Sequence, residues 1–193
     1  MKALIITGKY VTDSEYTYAL YRLQEEGYEV DVATIKGEPC LGILGEKVVP
    51  TMSIPNDPNP PKITFMGKTK FKDWKILIIP GGAKAMEYLR QDGDVLDAIR
   101  YLHDRGATVG SICHGAQLLI SAGLVKDRKI SGYYSVKDDI NNAGGVFVDA
   151  PFVTDGRIIT SPHYKHLGPW MKEIFRVTRE NHRGVGKGQY GIQ

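Results

Sequence analysis

Short apolar runs alternate along this chain with stretches in which apolar residues recur every three or four positions. Residues 2–7, with the apolar run Ala3-Leu-Ile-Ile6 at their centre, read as a buried strand. Tyr16, Ala19, Leu20 and Leu23 then stand at i, i+3, i+4 and i+7, which predicts a helix over 13–26 closed by Gly27. In the next strand, 29–34, Val30 and Val32 alternate with charged neighbours. Strand, helix and strand in this order make a βαβ unit, so the pattern predicts an α/β fold: a parallel sheet covered by helices. The rhythm returns at 75–79, a strand running into Pro80-Gly-Gly-Ala83. Val95, Ala98, Ile99 and Leu102 mark a helix ended by Gly106, and 107–112 reads as another buried strand, followed by a helix over 116–122. Shorter strands are expected at 126–131, 146–153 and 157–160, with a helix near 136–143. Leu167, Trp170, Met171 and Ile174 announce a last helix ending near 180.

Two stretches depart from this rhythm. Residues 36–72 contain Ile54-Pro-Asn-Asp-Pro-Asn-Pro-Pro61, too rich in proline for regular structure, with strand-like pieces on either side at 47–49 and 62–66. We read one domain over 1–180 with a proline-rich insertion at about 40–68, acting as a lid or interface arm or else as a plain irregular connection. Residues 181–193 read as a glycine-rich flexible tail. At 193 residues, with 42% hydrophobic and 24% charged positions, the chain can bury a substantial core in one domain. A formal charge of +3 is too small to argue for nucleic acid, and no apolar run approaches the roughly 20 residues that span a bilayer. The first residues enter a strand at once, without a signal-peptide pattern, and two dissimilar cysteines make no disulfide framework; a reduced, cytoplasmic setting is expected.

The most informative segment is Gly110-Ser-Ile-Cys113-His114-Gly115. Cys113 falls at the corner between a buried strand and a helix, flanked by the small residues Ser111 and Gly115, which is the pattern of a nucleophile elbow. A buried cysteine is ordinarily inert, but this one has a helix start behind it, expected to favour the thiolate, and a histidine beside it. In an open parallel sheet, ligands sit outside the carboxyl ends of the strands, where the loop after the first strand, Gly81-Gly82 and Cys113-His114 all converge. The paired glycines serve a tight turn, or the backbone amides of Gly82 and His114 form an oxyanion hole beside the sulfur. Thr12-x-x-Glu15 matches a capping box, yet the same helix start lies at the sheet edge of the elbow, where a Glu15 carboxyl could share a proton with Cys113. His114 is a candidate proton shuttle that needs an orienting partner. His163 and His166 follow another strand end. With no carboxylate or cysteine at ligand spacing nearby, they are read as pocket lining or surface, and no metal is expected. Cys40 is read as incidental, and the pattern alone makes Glu87 an exposed helix residue.

Taken together, Asp13-x-Glu15, Arg22-Leu-x-Glu-Glu-Gly27, Pro80-Gly-Gly82, Gly110-Ser-Ile-Cys-His-Gly115, Leu119-Ile-Ser-Ala-Gly123, Lys137-Asp-Asp139 with Asn142-Ala-Gly144, and Val153-x-Asp-Gly156 resemble the PfpI/ThiJ superfamily. This is the family of the parkinsonism-associated deglycase, related in fold to class I glutamine amidotransferases. The resemblance implies a flavodoxin-like three-layer sandwich with Cys113 as nucleophile, Glu15 as the carboxyl partner of the thiol, His114 as general acid and base, and Gly82 as an oxyanion donor. It further implies that Tyr133 lies near the pocket and that Glu87 reaches His114 of a neighbouring subunit, hence a homo-oligomer (dimer, trimer or hexamer). Ser161-Pro-His163 stands where many relatives carry an arginine, and the insertion is longer than in compact members.

Three functions follow from these readings. The first is a cysteine-dependent enzyme acting on reactive dicarbonyls or glycated protein, of glyoxalase or deglycase type, converting methylglyoxal to lactate without a cofactor. The second is an intracellular cysteine peptidase with Cys113, His114 and a partner chain's Glu87. The third is a redox sensor or chaperone with an oxidisable Cys113.

Overall fold

The computed structural model describes residues 1–54 and 74–185. In chain order the elements are β1 (Lys2–Ile6), α1 (Asp13–Glu25), β2 (Glu29–Ile35), β3 (Cys40–Leu41), β4 (Lys47–Val48), β5 (Met52–Ile54), β6 (Trp74–Ile79), α2 (Ala83–Leu89), α3 (Gly93–Asp104), β7 (Thr108–Ile112), α4 (Ala116–Ser121), β8 (Lys129–Ile130), α5 (Lys137–Asn142), β9 (Val146–Phe147), β10 (Val153–Asp155), β11 (Ile158–Ser161) and α6 (Leu167–Val185). Seven strands form the main sheet in the order β10-β11-β7-β6-β1-β2-β5. Every pairing in it is parallel except β10 with β11. This is the three-layer flavodoxin-like arrangement, with helices on both faces. The order reverses direction at β1, and the crevice outside the strand ends there is where such sheets bind ligands.

The two faces are filled by the two sets of alternating side chains on each strand, which is why these strands read as continuous apolar runs. Leu4, Ile6, Leu77, Ile79 and Val109 face α2, α3 and α4, and meet Met86, Leu89, Ile99, Leu118 and Leu119. Ala3, Ile5, Ile76 and Ile78 face α1 and α6, and meet Tyr16, Leu23, Trp170, Met171 and Ile174. The buried Trp170 indole donates to the Ile159 carbonyl at 3.1 Å.

Several expected elements change. The strand expected at 146–153 divides into β9 and β10, because Pro151 lies between them and cannot donate to a ladder. That expected at 126–131 shrinks to β8, which pairs with β9 in a separate two-stranded sheet. The last helix passes its expected end near 180 and runs to Val185, since Asn181-His-Arg183 contains no helix breaker and the glycines begin only at Gly184. Residues 186–193 and the strand expected at 62–66 lie outside the described residues. Within the expected insertion, β5 joins the main sheet beside β2, while β3 and β4 form a small antiparallel hairpin. Asp13 at the start of α1 anchors that hairpin: its carboxylate accepts from the backbone N–H groups of Leu44 and Glu46, each at 2.8 Å.

Candidate active site

Three crossovers bring the chemistry together at the carboxyl edge of β1, β6 and β7. Strand β7 ends at Ile112, and Cys113 turns the chain through a left-handed backbone (φ 59°) into a single 3-10 turn, Cys113–Gly115, ahead of α4. A side chain seldom adopts that conformation, and its presence here marks the corner as an elbow held by its surroundings. The close fit of the neighbouring strand end explains one glycine of the Pro80-Gly-Gly82 turn. A Cβ on Gly81 would lie 2.6 Å from the Cys113 Cβ and 2.7 Å from Glu15 Oε2. Gly82 has φ 103°, and a Cβ there would run into the Tyr10 carbonyl.

Glu15 is completely buried. Thr12 occupies the helix N-cap without a side-chain capping bond, so the capping-box account does not apply. The carboxylate instead accepts from the Gly81 backbone N–H at 2.8 Å. Its other oxygen has no hydrogen-bond partner of good geometry among the described residues. Burial pushes the carboxyl up to about 7, against the Gly81 amide, the Cys113 thiol and Thr12, which pull it down. The group therefore changes protonation near neutral pH.

Cys113 is also buried, and its thiol is pushed up to about 12 by burial first and by the Glu15 charge second. The backbone amides of His114 and Gly82 pull it down but do not prevail. Burial and the Glu15 charge thus favour the thiol, opposing the pull toward thiolate expected from a helix start, which here is a helix of only six residues. Both amides named for the oxyanion hole do face the sulfur.

His114 Nδ1 lies 3.3 Å from Cys113 Sγ, and its Nε2 lies 3.3 Å from Ser135 Oγ. Burial holds the imidazole below its usual pKa, opposed by the charge of Glu87 in the same chain. With the ring neutral and the sulfur protonated, Nδ1 accepts from the thiol and Nε2–H donates to Ser135; the opposite tautomer has Nδ1–H donating to the sulfur and the Ser135 hydroxyl donating to Nε2. Ser135 is the residue that sequence reasoning missed. It sits in the 3-10 turn Tyr134–Val136, which is tied to the elbow by Tyr133 N–H donating to the Cys113 carbonyl at 3.1 Å. Nothing local in the sequence signals that tie.

The structure brings Cys113, His114, Glu15, Gly82 and Tyr133 together. The Tyr133 ring lies 4.7 Å from that of His114 and 6.2 Å from that of His163, which contacts Tyr164 at 3.9 Å, so an aromatic wall borders the site. Glu87 stands on α2, more than half exposed, with Lys84 Nζ at 3.6 Å. Cys40 lies away from this centre, half-buried, its thiol raised by burial. Among the described residues no three His, Cys, Asp or Glu side chains cluster as metal ligands would. None of the described helices is long and apolar enough to cross a membrane.

The model of the DJ-1/PfpI family matches residues 1–177. The chain belongs to that family. Among its relatives, the deglycase TK1284 of Thermococcus kodakarensis is 34% identical over 180 residues, which is 93% of this chain and all of the relative. A Bacillus subtilis relative, YraA, named as a candidate cysteine protease, is 31% identical over 92% of this chain and 97% of its own. Among solved structures, Drosophila melanogaster DJ-1beta superposes with a TM-score of 0.78 at 21% identity, covering 96% of this chain and 98% of that one, a likeness of fold. For this family member, then, the three-layer sandwich is part of a shared frame.

Proposed function

We propose that this chain is a cofactor-independent, deglycase-type enzyme that converts reactive α-oxoaldehydes to hydroxy acids through Cys113. The observation that carries the reading is a thiol with a neutral imidazole nitrogen 3.3 Å away and a buried carboxyl that titrates near neutrality beside it. A proton-transfer group works best when its pKa lies near the working pH.

The chemistry balances without a further reagent. Cys113 sulfur adds to the aldehyde carbon of methylglyoxal while its proton passes to His114 Nδ1, and the oxygen takes the negative charge facing the Gly82 and His114 amides. Returning the proton to that oxygen gives a hemithioacetal. Glu15 or His114 removes the proton on that carbon and another proton is added at the neighbouring carbonyl carbon, so the first carbon is oxidised to a thioester and the second reduced to an alcohol. Water then cleaves the thioester to lactate and the free thiol. Ser135 orients His114 in this scheme. In a homo-oligomer packed through α2, Glu87 of one copy would add a second carboxylate at His114 of the next.

The test is lactate formation from methylglyoxal without glutathione, comparing the native chain with Cys113→Ala at equal concentration. Lactate from the native chain alone supports the reading. No lactate from the folded native protein overturns it. The peptidase reading rests on the name of the Bacillus subtilis relative, and the same two proteins incubated with an unstructured peptide decide it.

A further inference from the structure

Four described residues other than glycine hold a left-handed backbone: Tyr10, Lys36, Cys113 and Asp127. Aspartate tolerates this conformation, and Cys113 is the elbow. Tyr10 (φ 68°) and Lys36 (φ 58°) are bulky, serve no part of the chemistry above, and have glycine as the easy alternative. Both line the same cleft, of about 760 Å³, which opens at the carboxyl ends of β1 and β2. Backbone held in a disfavoured conformation concentrates where side chains are aimed at a ligand. A cleft of this volume outside the carboxyl ends of parallel strands is in the range that holds a small molecule.

The lining has a definite chemistry. Lys9, Lys36 and Lys84 supply three ammonium groups, against the single carboxylate of Glu38. Tyr10 from the loop after β1 and Tyr88 from α2 supply two partly exposed rings. Each ring already has an ammonium near its face, Lys9 at 5.0 Å from the Tyr10 centroid and Lys84 at 5.4 Å from that of Tyr88. Lys84 also reaches Glu87 at 3.6 Å, which leaves Lys9 and Lys36 as its freest cations. None of Cys113, His114, Glu15 or Tyr133 lines this cleft.

We propose that the cleft is a second ligand site, separate from the cysteine centre, for a small molecule that joins a flat ring to a phosphate or carboxylate group. The ring packs against Tyr10 and Tyr88, and the anionic group sits among the lysines. Because α2 forms one wall of the cleft and begins at Gly82, an occupant is joined to the cysteine centre by one short helix.

Calorimetric titration of the full chain tests this. Adenosine monophosphate and 4-hydroxybenzoate represent the phosphate and carboxylate versions, with adenosine and inorganic phosphate as the separate halves. At least one ring-bearing anion is expected to saturate a single site, with each half at least about ten-fold weaker. Lys9→Glu with Lys36→Glu should weaken binding by more than about ten-fold, Tyr88→Ala should weaken it too, and Cys113→Ala should leave it within about two-fold. These positions are at the surface, so circular dichroism can certify that the variants fold. No saturable binding of either ring-bearing anion up to about 10 mM overturns the proposal. So does binding that survives the double lysine reversal, phosphate alone binding as tightly as the ring-bearing anions, or binding lost with Cys113→Ala, which would put the ligand at the cysteine. The last outcome leaves the dicarbonyl reading intact, and failure of that reading leaves this site standing.

Discussion

Replacing Glu15 by glutamine removes a charge that the interior disfavours while keeping the shape and the oxygen that accepts from Gly81. The carboxyl rises from 4.5 to about 7 on folding, chiefly through burial. At 1.36 kcal/mol per pH unit this corresponds to about 3 kcal/mol. Between those two values the native state keeps a proton that the unfolded chain has released, so stability falls as pH rises through the window, and the full penalty stands above it. Glutamine does not titrate. The variant should therefore match the native protein near pH 4.5 and exceed it by about 3 kcal/mol at pH 8, before thiol ionisation enters. Urea unfolding followed by circular dichroism at several pH values measures the difference directly. In a protein of this size that gain raises Tm by about 6–12 °C. The same variant should lose lactate formation where Glu15 is the base for the carbon-bound proton, and keep it where His114 is. A stability difference that stays constant across the pH range would refute the reasoning, because it would mean that Glu15 does not titrate in the window.

Ser135→Ala should lower kcat/KM for methylglyoxal about ten-fold and shift its pH profile, with Ser135→Thr restoring both; an unchanged rate and profile would remove Ser135 from the orienting role. Gly82→Ala should cost about 3 kcal/mol in urea unfolding, because a side chain there meets both a left-handed backbone and the Tyr10 carbonyl. A loss below about 1 kcal/mol would contradict that close approach. Asp13→Ala should cost about 3 kcal/mol and speed hydrogen exchange at the Leu44 and Glu46 amides, which now donate to it. Burial raises the Asp13 carboxyl, but those amides outweigh it and hold it below 3.8. Its contribution should thus be complete above that pH and vanish as pH falls through the native value; exchange rates unaffected by the substitution would argue against the anchor.

The long, strongly periodic parts of the chain were legible before any coordinates: β1, α1, β2, β6, α3, β7 and α6 follow from apolar runs and from i, i+3, i+4 spacing. The cysteine corner was legible too, since a buried strand meeting small residues and a helix leaves few other arrangements. Among the short elements, α4, α5, β4 and β11 were also anticipated, whereas α2 and β5 were not. Helix α2 has seven residues, too few for a period to repeat, and β5 has three, directly before a proline-rich stretch. Glu15 could be read from sequence as a cap or as a site residue, and only the approach of the Gly81 amide separates the two. Ser135 and the Asp13 anchor depend on hydrogen bonds between segments far apart in the chain, and such partners leave no trace in local pattern. The upward push on the Cys113 thiol comes chiefly from burial, which the helix start alone could not disclose.

The left-handed backbone at Cys113 has a consequence for how such a protein can change over evolutionary time. Glycine is the one residue that this corner would prefer, and a cysteine codon lies a single base from a glycine codon. Cys113→Gly would relax the turn by about 1 kcal/mol while erasing the proposed nucleophile. The mutational step that would silence the proposed chemistry is thus one that the fold rewards, so a lineage freed from the need for that reaction would have an open road to stable, catalytically mute descendants.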